Sequence, residues 1–189
     1  MPSGAELTRG TLGRRIVASI EGEYRRYKQL GENALEQLTD EQLCLKANPE
    51  GNSIATLMWH ISGNLASRFT DFLTSDGEKP WRDRESEFLT HTVDRMKLRE
   101  KWESGWTTLL RSLADLDDRQ LHTVVTIRGV PLSVHEALHR SLAHTSYHVG
   151  QIVFLAKAFQ GANWRYLSIP PGQSEQYNKN PVAEKPPGL

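Results

Sequence analysis

The 189-residue chain has a single cysteine, no excess charge of either sign and no long apolar run. One cysteine, Cys44, excludes an intramolecular disulfide and any cysteine cluster for zinc, and reads as a small buried hydrophobe. Lys+Arg and Asp+Glu both number 23, so nothing draws the molecule as a whole to a phosphate backbone or an anionic bilayer. Nucleic acid and membrane are not expected partners. No stretch approaches the roughly 18 apolar residues of a bilayer span, and MPSGAELTRG has no apolar secretion segment. A cytoplasmic protein is expected. At 38% hydrophobic and 24% charged, the composition is that of an ordinary globular domain. That domain is expected over residues 1–178, with residues 179–189 (KNPVAEKPPGL), which hold three prolines, as a flexible tail.

Four segments carry apolar residues at helical spacing. The first, Leu12 to Leu38, places Ile16, Ile20, Tyr24, Tyr27, Ala34 and Leu38 on one stripe. The second opens at Ser53, a good N-cap, runs through Ile54, Leu57, Ile61, Leu65, Phe69 and Phe72, and is expected to stop at Asp76-Gly77. The third runs from about Thr90 to Leu113 through Trp102, Trp106, Leu109 and Leu110. The fourth begins at Ser133, whose spacing to Glu136 matches a capping box, and continues through Leu138, Leu142, Val149, Ile152, Leu155 and Phe159 to Gly161. These predict an all-α four-helix bundle. The connections at 39–52, 75–89 and 116–132 exceed the usual 2–8 residues, which points to a crossover connection. Alternation from His122 to Leu132 around Arg128-Gly129 predicts a small β-hairpin, and the chain after Gly161 reads as irregular.

Seven histidines at random would give about 0.25 pairs at i, i+4, and two occur, His135/His139 and His144/His148. Nine residues separate His139 from His148, so the pairs lie on opposite sides of the fourth helix. His135-Glu136-x-x-His139 matches the zinc-protease pattern. Against a protease, Glu136 already belongs to the capping box, the longer pattern lacks its Gly and third His, and no strand-rich half precedes the helix. His144 and His148 flank the apolar stripe, as His60 does on the second helix, so three imidazoles can converge. Each is otherwise a hydrogen-bonded core histidine.

The order His60, then His144-x-x-x-His148 followed by Gly150-Gln151-Ile152, resembles the DinB-like superfamily of four-helix metalloproteins, which includes thiol-dependent transferases and isomerases. Asn52 to Ala55, Ser62 to Leu65, Ser67 to Phe72, Asp76 to Pro80, Arg82 to Phe88 and Trp164 to Pro170 are similar to a branch of uncharacterised DinB-related domains. The resemblance covers residues 12–178. It implies an up-down-down-up bundle, often homodimeric, with a divalent metal on His60, His144 and His148.

Three neutral imidazoles would leave Zn²⁺ or Ni²⁺ its full charge and open positions. Such a centre suits a metal-dependent hydrolase or thiol S-transferase, activating water or a low-molecular-weight thiol against a small-molecule substrate. The alternatives are a non-catalytic metal-binding bundle that binds a ligand or partner, and the protease. Asn64 and Gln151, at helical spacing from the histidines, are candidates to orient ligands or substrate, or else bridge helices. Within Asp76 to Phe88, Lys79, Arg82, Arg84, Glu85 and Glu87 either pair to fix a long loop or hold a substrate carboxylate at the bundle mouth. Trp59, Trp102 and Trp106 read as packing.

Overall fold

Each long helix begins where an oxygen waits for its first free amides, in a computed structural model that describes residues 14–89 and 94–182. Helix α1 (Arg15–Leu35) is capped from a distance, the Asp118 carboxylate accepting the Ile16 and Val17 amides at 3.2 and 3.1 Å. Ser53 accepts the Thr56 amide and opens α3 (Ile54–Phe69); Asp94 accepts the Met96 amide and opens α4 (Arg95–Ala114). The expected capping box of Ser133 and Glu136 starts α5 (Val134–Gln160), which Gly161 ends at φ +54°. Two five-residue helices, α2 (Asp40–Cys44) and α6 (Ser174–Asn178), stand where no helix was expected. Strands β1 (Val124–Ile127) and β2 (Val130–Ser133) form the expected antiparallel hairpin.

The structure shifts several expectations. Helix α3 stops at Phe69, well before Asp76, because Thr70 turns extended and Asp71 enters the left-handed region at φ +48°, which its short polar side chain tolerates. Phe72 is still buried, on the loop that follows. On α1 the core position belongs to Val17, and Ile16 is 48% exposed, a phase error of one residue. Cys44 is half-buried. Leu12 and Gly13 of the first predicted helix, Thr90 to Val93 of the third and residues 183–189 of the predicted tail lie outside the described residues.

Contacts fix the helix directions. The start of α4 meets the end of α1, where Arg95 bonds the Leu35 and Leu38 carbonyls, and the start of α1 meets the end of α4 through Arg14 and Leu113, so these two run antiparallel. Helix α5 runs parallel to α1: Tyr24 donates to the Leu138 carbonyl and Gln160 to that of Gln37. Helices α3 and α4 are parallel neighbours, so close at Gly105 that an added Cβ would lie 2.7 Å from the Ser62 main chain. With α3 antiparallel to α5, the order is up, down, down, up. Two parallel neighbours need a crossover, and residues 70–94 supply it. The shared core holds Tyr24 edge-on to Phe69 and Trp106, with Trp102 beside Trp106; Trp59 is half-buried under Lys101. Among the described residues no helix is long and apolar enough to cross a membrane.

Candidate metal centre

Antiparallel packing of α3 on α5 sets His60 opposite His144 and His148, two positions one turn apart on the same face. His60 Nε2 lies 3.2 Å from His144 Nε2, close to the roughly 3.3 Å between two nitrogens that each sit 2.0–2.1 Å from a tetrahedral ion. One ring nitrogen from each of the three histidines falls within 4.8 Å of the others. The widest gap must narrow by roughly 1.5 Å to share one ion, a movement within reach of small χ rotations.

Hydrogen bonds on the far side of two rings choose the tautomer. His60 Nδ1–H donates to Glu87 Oε2 at 2.8 Å and His148 Nδ1–H to Gln151 Oε1 at 2.9 Å, which leaves each Nε2 lone pair free. His144 Nδ1 is buried without a partner among the described residues. Burial, reinforced by His148, His60 and the arginines 82 and 68, pushes His144 down to about 3. Burial also lowers His148. His144 and His148 are thereby held in the neutral form that ligates, so the donor set fits a divalent cation.

Glu87 reaches His60 from the crossover. Its 3-10 turn, Glu85–Phe88, lies on α3 at Gly63, where a Cβ would stand 2.1 Å from Glu87 Oε1. Only a glycine admits the carboxylate there. Arg82 Nε and Nη2 hold its two oxygens at 2.8 and 2.9 Å, both side chains nearly sealed from solvent. Desolvation alone would raise the Glu87 pKa, but the His60 and Arg82 hydrogen bonds outweigh it and hold the carboxylate below its ordinary range.

The three histidines and Asn64 line one cavity of about 730 Å³. Gln151 bonds His148 and lines a separate groove with Tyr147 and Phe154. His135 and His139 are exposed on a shallow surface beside α1, ring to ring at 4.3 Å, and Glu136 is occupied by its capping box. The crossover charges pair among themselves, as Arg82 with Glu87 and Arg84 with Glu85, yet both arginines also line the cavity. Sequence reasoning named Glu87 and Arg82 within a charged loop that either pairs with itself or holds a substrate carboxylate, and gave neither a role toward His60. The signal that separates Glu87 out is structural, the side-chain-free Gly63 opposite it.

No curated protein matches the chain. Among solved structures, the crystal structure of a DinB-like protein from Bacillus cereus ATCC 10987 is similar, with a TM-score of 0.55 and 20% identity over 72% of this chain and 87% of that one. Its likeness establishes a DinB-like helical fold. Residues 11–173 match the family described as protein of unknown function DUF1572. With that match spanning most of its length, the chain belongs to the DUF1572 family and has a DinB-like fold.

Proposed function

We propose that this protein is a metal-dependent enzyme of the DinB-like kind, acting on a small molecule with water or a low-molecular-weight thiol as the nucleophile. The observation that carries this reading is a triad of imidazoles, two of them oriented by Glu87 and Gln151, at the wall of a cavity of small-molecule size. A zinc or nickel ion bound there would act as a Lewis acid, lowering the pKa of water or thiol toward neutrality. His60, His144 and His148 would hold it; Glu87 fixes the orientation of the His60 ring. Asn64 offers an amide to the cavity to orient substrate. Three protein ligands and an open side favour catalysis over a purely structural site, which is normally closed by four.

Metal analysis joined to turnover tests this. The zinc- or nickel-loaded protein should bind one equivalent and consume a small electrophile with water or cysteine as nucleophile. His148→Ala should lose both properties and His135→Ala neither. Unchanged metal content in His148→Ala would overturn the reading.

A further inference from the structure

Among the described residues, every ionisable side chain lining the cavity is basic. Beside the three histidines stand Arg68, Arg82, Arg84, Arg128 and Arg140, a third of the chain's fifteen arginines. They come from α3, the crossover, the hairpin turn and α5, so the fold gathers them; no single charged stretch does. Two are committed to structure: Arg82 to Glu87, and Arg68 to the Gly77 carbonyl and Glu78. The other three are loosely held. Arg84 pairs with the solvent-exposed Glu85, Arg128 shares Glu78 with Arg68, and Arg140 forms no hydrogen bond or ion pair among the described residues. Arg140 stands four residues before His144 on α5, so the two share a face with Cα atoms about 6 Å apart.

Arg128 occupies a backbone position that disfavours it. With φ +56° and Gly129 at φ +74°, the pair forms the two-residue hairpin turn in which Asn-Gly is the favoured sequence. The Asp76 carboxylate holds the turn by accepting both amides, at 2.9 and 2.8 Å. An arginine kept in the left-handed region, its side chain at the cavity mouth, is best explained by what that side chain does.

We propose that the cavity takes an anionic small molecule, one bearing a carboxylate or phosphate group, clamped by Arg128 and Arg140 with Arg84 as a third contact. Guanidinium forks match the paired oxygens of either group. The apolar Phe69, Phe72 and Ile127 on the same wall limit screening by solvent. This deepens the metal-site reading and rests on it for the substrate's orientation, with the anion at the arginines and the reacting end toward the histidines. The clamp itself needs no metal.

The test uses the full chain, zinc-loaded and zinc-free, with inorganic phosphate and succinate as probes and succinamide as the uncharged control. Ionic strength is fixed with chloride, and arginine Nε–Hε resonances are followed by NMR. Phosphate or succinate should saturate in both forms and succinamide in neither; the stronger probe identifies the group. Arg128→Asn, which suits the turn, and Arg140→Gln should each weaken binding roughly tenfold. The double variant should lose saturable binding with zinc content and far-UV CD unchanged. Full anion affinity in that double variant, or no saturation by either probe in the wild type, overturns the clamp. Wild-type protein that binds anion but no zinc upholds the clamp and sinks the metal reading.

Discussion

Replacing Glu87 with Gln removes one charge at nearly constant volume, so it isolates what the carboxylate contributes. In the native site Glu87 Oε2 accepts from His60 Nδ1 and Arg82 Nη2, and Oε1 from Arg82 Nε. A Gln oxygen at the Oε2 position keeps the first two. Its NH₂ then faces Arg82 Nε–H, donor against donor. The forfeited charge-assisted hydrogen bond amounts to about 1.5–3 kcal/mol, below the roughly 3–5 kcal/mol of a buried pair broken outright, because two bonds persist. We expect the metal-free protein to lose about 2–3 kcal/mol in urea unfolding. Weakening the partner of a ligating imidazole costs about 10–100-fold in metal affinity, equivalent to about 1.4–2.8 kcal/mol. Zinc competition against a chromophoric chelator measures it. A destabilised variant that holds zinc within twofold of the wild type refutes the coupling and reduces Glu87 to a partner for Arg82.

Gly105→Ala should destabilise by about 1–3 kcal/mol in urea, since the new methyl meets main-chain atoms of Ser62 that cannot swing aside. Gly150→Ala, with nothing within 4 Å, should instead stabilise α5 by about 0.5–1 kcal/mol; equal midpoints for the two variants would contradict the close α3–α4 approach. Main-chain amides of Glu78, Gly129 and Arg128 hold the Asp76 carboxyl well below the usual carboxylate range. Its stabilisation of the hairpin is therefore complete above the unfolded value of about 3.9, and the latch opens only as pH falls on through the much lower folded value. The Arg128 and Gly129 amide resonances should move only in that acid window, and Asp76→Asn should show the acid positions at neutral pH. Native positions in that variant would refute the latch.

The helices were legible because a wide stripe such as Leu57, Ile61, Leu65 and Phe69 can be buried only by a helix, and because Ser133 and Glu136 announce a start. Helix α2 carries too few residues to show a period, and the one-residue slip between Ile16 and Val17 reflects two adjacent apolar side chains that both fit the pattern. The histidines stood out by sharing the margin of an apolar stripe and by their resemblance to a known arrangement. Glu87 did not, because it is one charge among several between Asp76 and Phe88, and only the tertiary meeting with Gly63 and His60 distinguishes it. Arg140 and Arg128 likewise look like ordinary polar residues until the hairpin and α5 close on one cavity.

The link from α3 to α4 must travel back along the bundle because those neighbours point the same way, and on that return it lays Glu87 against His60. Connectivity thus acts as chemistry. A redesign that joined the same four rods by short alternating turns would preserve every oily stripe and all three imidazoles. It would also delete the carboxylate strut, leaving the first ring to spin between tautomers where the native chain holds it in one.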